Sequence, residues 1–172
     1  YHNIINYIQA NSLDHLRLDQ KDIRSIKRQF GLNNIRYFFS GGASIAKSIC
    51  EFFLSLDMLL LEAYGLSECS PRLSVNTASS YSFGTVGKPL PNVSIRIAED
   101  GEILAKGANI MKGYYKNESA TNKMFTEDGW FKTGDLGVFD TEGFITITGR
   151  EKDIIVTSNG MNVYPLQSEQ IL

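Results

Sequence analysis

Histidine and cysteine are scarce, with two of each in 172 residues, and that scarcity removes several kinds of chemistry at once. Cys50 and Cys69 cannot build a disulfide framework, and their spacing matches no zinc site. His2 and His15 stand near the start of the chain with no G-x-S-x-G elbow anywhere, so a hydrolase triad has no support. An excess of one charge is also missing: 17 basic against 19 acidic residues leave a formal net charge of -2. Nucleic acid and anionic membrane are therefore not expected partners. No apolar run reaches the roughly 20 residues of a membrane span; the longest, Phe52 to Leu61, is broken by Ser55 and Asp57. A Walker phosphate loop, G-x-x-x-x-G-K-S/T, is absent too. Free thiols without a signal peptide fit a reducing, cytoplasmic setting. The chain opens at Tyr1 without an initiator Met and stops at Leu172 as a new helical pattern begins. Both ends are therefore expected to be cut from a longer protein.

Two textures follow one another along the chain, and the length suits about one domain. In the first, helix alternates with strand. Asp19 is placed to cap a helix carrying Ile23, Ile26 and Phe30 at helical spacing, with Gly31 where it stops. The apolar run Ile35 to Phe39, closed by Ser40-Gly41-Gly42, reads as a buried strand entering a tight turn. Ser44 can cap a second helix with Ile45, Ile49, Phe52, Phe53 and Leu56 on one face, Cys50 being a small buried residue there. Met58 to Leu61 is another buried strand, so the order is that of a βαβ unit with a parallel sheet. Asn76 to Ser82 is the most linker-like stretch.

Short strands and glycine turns take over from about Gly84. Val93, Ile95 and Ile97 alternate with Ser94 and Arg96, Asp100-Gly101 marks a hairpin, and Thr141-Glu142-Gly143 marks a second. This half reads as antiparallel sheet or a small barrel. Further on come an apolar strand, Ile154-Ile155-Val156, a loop, and Pro165 opening a helix.

Ligands of α/β sheets collect at the carboxyl ends of the strands, and two such places carry suitable residues. Ser40-Gly41-Gly42-Ala43-Ser44 lets backbone approach a flat ring or phosphate before a helix N-terminus, although tight turns need glycine in any case. Tyr64-Gly65-Leu66-Ser67-Glu68 offers a ring to stack on a base, a hydroxyl for a phosphate and a carboxylate for Mg2+, a hard cation that takes oxygen ligands. The same five residues also read as a strand end with a buried tyrosine and a solvated glutamate. Asp135 can accept two hydrogen bonds from a ribose diol or can simply form a turn. Arg150 presents a planar fork of donors, or is an ordinary surface arginine. Singly, none of these identifies a function.

Together they resemble one family. The succession SGGA (40–43), YGLSE (64–68), GTVGKPLPNV (84–93), GEILAKGANIMKGYYKN (101–117), GWFKTGDLG (129–137) and GREKDIIVTSNGMNVYP (149–165) resembles the adenylate-forming, or AMP-binding, superfamily. The phrasing is most similar to long-chain fatty-acyl-CoA ligases. The resemblance covers nearly all of residues 35–172 in order.

It implies an α/β plus β fold. Residues 1–83 would end a parallel sheet subdomain, 84–150 would form a distorted antiparallel barrel, and 151–172 would begin a small mobile α+β domain. Gly41, Gly42 and Ala43 would line the adenine and acyl carboxylate region. Tyr64 would stack on adenine beside Gly65, Ser67 would bond the α-phosphate, and Glu68 would ligate Mg2+. The family usually has Thr at Ser67; the hydroxyl is kept. Asp135 would bind the ribose hydroxyls with Arg150 in support, Lys152 would be the hinge, and Gly160 would face the coenzyme A channel. The implied reaction has two steps: a carboxylate, here a fatty acid, attacks the α-phosphate of ATP, and a thiol then takes the acyl group from AMP. ATP, AMP, Mg2+ and coenzyme A are its small molecules.

The family's Ser/Thr/Gly-rich phosphate loop has no counterpart in residues 1–34, and its late catalytic lysine has none before Leu172. The 172 residues alone are thus expected not to catalyse adenylation. Two alternatives remain: an adenylation domain that loads a carrier protein's phosphopantetheine, and a non-catalytic nucleotide-binding remnant. The resemblance leaves room for peripheral membrane association and is silent on oligomeric state and on the acid's chain length or aryl character.

Overall fold

The computed structural model describes residues 1–11 and 18–153, together with the backbone of 155–156 and 162–163. Asp19 caps α2 (Gln20–Gln29) as its position predicts, its carboxylate accepting from the amides of Lys21 at 2.7 Å and Asp22 at 2.8 Å. Ile26 of α2 packs with Ile4 and Ile8 of α1 (His2–Ala10), with Phe52 of α3 (Lys47–Ser55), and with Leu56 and Met58 just beyond it. Cys50 is fully buried on α3, as its apolar helix face requires. The cap expected at Ser44 is not there. α3 begins at Lys47 behind Ala46 without a side-chain cap, which leaves Ser44 ahead of the cap position, and the Ile45 amide between them donates to Glu62 Oε1 at 3.3 Å.

Strands β1 (Tyr37–Gly41) and β2 (Leu59–Tyr64) pair in parallel across α3, completing the βαβ unit. Where a buried strand is expected, β1 ends the sheet among the described residues. Tyr37 is 48% and Phe39 55% exposed, while Phe38 on the other face packs on the helical core. The sheet continues antiparallel through β3 (Ser74–Val75) and β4 (Lys88–Pro89). The linker expected over Asn76 to Ser82 is instead pinned. Asn76 is buried, its Nδ2 donates to the Thr85 carbonyl at 2.7 Å, and its Oδ1 accepts from the Ser82 amide at 3.0 Å. One side chain thus does locally what a strand ladder would do.

The second sheet is antiparallel in chain order, β5 (Val93–Ile97), β6 (Glu102–Gly107), β7 (Phe131–Phe139) and β8 (Ile145–Arg150). Its outer hairpins turn at the two glycines picked out by the sequence. Register shifts between Glu102 and Leu104 and between Leu136 and Gly137 bend the strands into a curled half-barrel, since a bulge adds local twist. Between β6 and β7 lies the short helix α4 (Glu118–Lys123). Past β8, β9 (Ile155–Val156) and β10 (Asn162–Val163) pair antiparallel. Gly160 and the helix expected at Pro165 lie outside the described residues.

Residues 86–87 join the two sheets. The Val86 amide donates to the Ile145 carbonyl at 2.8 Å, and the Ile145 amide returns to Gly87 at 2.9 Å. Ser74 Oγ holds the Val86 carbonyl at 2.9 Å from the other side. Gly87 has φ +84°, and a Cβ there would sit 1.9 Å from the Val75 carbonyl carbon, so no side chain fits. We therefore expect Gly87→Ala to cost on the order of 3 kcal/mol or more, because backbone must move. Gly101→Ala, also at positive φ but with open space around it, is expected to cost only about 1–2 kcal/mol of conformational strain. Urea denaturation of the two variants checks the ratio.

Candidate functional site

A cleft of about 560 Å3 opens where the two sheets meet, at the carboxyl ends of β1 and β2. Gly42, Ala43 and Ser44 form one wall, Glu62 to Gly65 the floor, and Asp135, Gly149 and Arg150 the wall from the second sheet. Most of the residues singled out in the sequence meet here although they come from distant parts of the chain. Gly41 closes β1 beside them, paired with Ala63. Gly65 is also needed for packing: a Cβ would lie 2.0 Å from the Pro71 carbonyl oxygen.

Asp135 is the electrostatic centre of the cleft. It is buried, and β7 and β8 place it directly across from Arg150. Arg150 Nε donates to Oδ1 at 2.7 Å and Tyr64 Oη donates to Oδ2 at 2.7 Å. The Asp135 amide is taken by Thr133 Oγ1 at 3.1 Å, and that hydroxyl in turn donates to Ile103 O at 2.8 Å. Burial, and after it the Asp135 charge, push the Tyr64 phenol well above its ordinary range, so Tyr64 stays a donor and its ring is fixed along the cleft. Each carboxylate oxygen holds one donor here and has a second lone pair, which leaves Asp135 able to accept two hydroxyls. Arg150 keeps 60% of its side chain exposed, with its remaining N–H groups free to reach a ligand.

Three predicted residues stand apart from the lining. Ser67 and Glu68 lie in the short 3-10 turn Ser67–Cys69, just past Gly65; Ser67 is exposed, and Glu68 Oε1 accepts from Tyr114 Oη at 2.9 Å. Lys152 is exposed in the 3-10 turn Glu151–Asp153 directly after β8, and its neighbour Asp153 reaches the cleft. Among the described residues no three potential metal ligands cluster. One hard carboxylate such as Glu68 still suits Mg2+, which binds through one or two carboxylates together with a substrate's phosphates.

Glu62 was not singled out by its sequence, although a charged residue inside the apolar run Leu59–Ala63 is a signal of its own. Its side chain is 5% exposed and lines the cleft; Oε1 has the long bond from Ile45, and Oε2 has no partner of good geometry. Burial raises its pKa above the ordinary 4.5, with the amides of Ile45 and Gly84 pulling the other way. The sign follows from linkage. Below the ordinary carboxyl range both folded and unfolded chains hold the proton and there is no penalty. As pH rises past 4.5 the unfolded chain ionises first, so stability falls until the raised folded pKa is passed. We expect Glu62→Gln to raise Tm at pH 8 by several degrees (about 2–4 °C per kcal/mol) and to change it less at pH 4. Thermal melts at the two pH values check this.

Comparison with known proteins agrees with this geometry. Residues 4–115, more than half of the chain, match the family model described as AMP-binding enzyme. The chain is 45% identical over 158 residues to the long-chain-fatty-acid–CoA ligase FadD15 of Mycobacterium bovis, covering 92% of this chain and 26% of the ligase. It therefore spans about a quarter of that relative's length. Among solved structures, ATP-bound MatB from Rhodopseudomonas palustris superposes with a TM-score of 0.73 at 33% identity, over 84% of this chain and 31% of MatB. The O-succinylbenzoate coenzyme A synthetase MenE from Bacillus subtilis, in complex with ATP and magnesium ion, gives a TM-score of 0.68 at 28% identity, over 95% of this chain and 37% of MenE. On the matched model and the cleft together, the chain belongs to the AMP-binding enzyme family.

Proposed function

We propose that this chain is the adenosine-binding part of a longer ATP-dependent acyl-CoA ligase that activates a carboxylic acid, a fatty acid in particular, as its acyl-adenylate. The observation that carries the reading is the single cleft in which Tyr64 and Asp135, 71 residues apart, are tied to each other and to Arg150. In that cleft the Tyr64 ring stacks on adenine, with Gly42 and Ala43 leaving room for a flat base on the other wall. Glu62 faces the same space with an unsatisfied oxygen, suited to accept from an exocyclic amine. Asp135 accepts from the ribose diol and Arg150 supports it. The phosphates then run toward Ser67, whose exposed hydroxyl can donate to the α-phosphate. Glu68 would hold Mg2+, which offsets phosphate charge when bound.

Catalysis on this reading is placement and charge stabilisation, with no covalent enzyme intermediate. The acid carboxylate attacks the α-phosphorus and pyrophosphate leaves. In the second step the thiol of coenzyme A attacks the acyl carbon and AMP leaves. Lys152, exposed just behind β8, is where the chain turns between the two steps, and Gly160 would line the thiol's approach. The fatty acid preference rests on the likeness to FadD15.

The test is pyrophosphate release by the full-length protein with ATP, Mg2+ and acids from acetate to palmitate plus benzoate, with a parallel assay for CoA thioester. Release that rises with long-chain acids and yields thioester is the expected result. Release without thioester points to loading of a carrier protein, and no release with any acid points to a nucleotide-binding remnant. Asp135→Asn is expected to lower kcat/KM for ATP on the order of 100-fold, through weakening of two hydrogen bonds to a charged acceptor.

A further inference from the structure

The loop after β6 does more than connect it to α4. Asn109 Nδ2 donates to the Cys69 carbonyl at 2.9 Å and to the Arg72 carbonyl at 2.8 Å. The Met111 amide donates to the Glu68 carbonyl at 2.7 Å. The fourth tie is to a side chain, Tyr114 Oη to Glu68 Oε1 at 2.9 Å. The first three bonds fix the backbone of the turn, so the fourth is not needed to hold its shape. What the fourth fixes is the rotamer of a carboxylate that would otherwise swing in solvent.

Tyr114 is itself held rigidly. Its amide donates to Thr121 Oγ1 at 2.9 Å, and that hydroxyl donates at 2.9 Å to the carbonyl of Asn117, the residue that caps α4. Gly113 lies against the same threonine, where a Cβ would come within 2.7 Å of Thr121 Cγ2. The phenol is thus aimed from a fixed loop at one oxygen of Glu68, and among the described residues no side chain or amide takes Oε2.

We propose that Tyr114 is a positioning residue for Glu68, holding one carboxylate oxygen so that the other points at the divalent cation carried by the nucleotide. This rests on the reading of Glu68 as the carboxylate that meets that cation. Tyr114 meets Glu68 and is not part of the cleft lining. Pre-setting the rotamer removes an ordering cost from binding and so acts on affinity for the metal–nucleotide complex, not on adenosine recognition. The adjacent Tyr115, almost wholly exposed, has no such tie and serves as a control.

The experiment measures two affinities in the full-length protein, for Mn2+·ATP through the Mn2+ EPR signal and for AMP without metal. Tyr114→Phe, Glu68→Gln, their double variant and Tyr115→Phe are compared. Expected is a roughly five- to tenfold weaker Mn2+·ATP affinity for Tyr114→Phe, the size of the cost of ordering one side chain, with AMP affinity and Tm unchanged. Glu68→Gln should weaken Mn2+·ATP at least as much, adding Tyr114→Phe to it should change nothing further, and Tyr115→Phe should match wild type. If Glu68→Gln weakens Mn2+·ATP while Tyr114→Phe does not, the positioning role is wrong and the reading of Glu68 stands. If Glu68→Gln leaves Mn2+·ATP unaffected, that reading fails and the role of Tyr114 fails with it. Equal loss of AMP and Mn2+·ATP affinity in Tyr114→Phe marks a merely structural hydroxyl and also overturns the proposal.

Discussion

The hydrogen bond from Tyr64 to Asp135 spans the seam between the two sheets, and the geometry of the cleft depends on it. Asp135 is a buried carboxylate, and such a group is tolerated only where donors surround it. Arg150 provides one from the neighbouring strand and Tyr64 the other from the opposite sheet. Taking away the tyrosine hydroxyl would leave one oxygen of a buried charge short of a partner and would free the ring that floors the cleft. On the proposed reading, recognition and stability are carried by the same three side chains. Their arrangement also explains why ring, carboxylate and guanidinium appear together although β2 and β7 lie far apart in sequence.

Much of this was legible in the sequence because the signals were local. An aspartate before an amphipathic stretch, a glycine after it and glycines at two hairpin tips act within a few residues, and α2, β5–β6 and β7–β8 form where those signals place them. Expectations failed where a distant group intervened. The helix expected to start behind Ser44 starts at Lys47, and the Ile45 amide ahead of it is held by Glu62, 17 residues further along. The Asn76 loop resembles a linker in composition, yet one buried amide fixes it to its own far end. β1 is apolar like a buried strand, yet its outer face is open, with the Arg72 guanidinium lying over the Phe39 ring at 5.7 Å. At the site, the motifs around Gly42, Tyr64, Asp135 and Arg150 meet in the cleft, whereas the pairing of Tyr114 with Glu68, 46 residues apart, has no sequence signature.

Glu62 shows how function and stability pull against each other here. An apolar residue in that place on β2 would suit the sheet better than a carboxylate with one oxygen unsatisfied. A side chain that weakens the resting fold and lines the cleft is of the kind kept where a ligand can satisfy it. The curled second sheet has the complementary part: its bulges turn β7 so that Asp135 faces inward at the end where Arg150 leaves β8.

The two hydrogen bonds between Val86–Gly87 and Ile145 have a consequence for how the molecule opens. One apolar cluster lies among the helices, and a second packs Tyr64, Leu66 and Leu73 against Ala105 and Phe131 of the second sheet, so apolar contact already ties the two sheets. A ladder step shared between them, with Ile145 fully buried, makes fluctuation of one sheet edge a fluctuation of the other. Amide exchange at Val86 and Ile145 then proceeds through the same cooperative unfolding as the sheet interiors, and the cleft between them persists as long as the whole unit does.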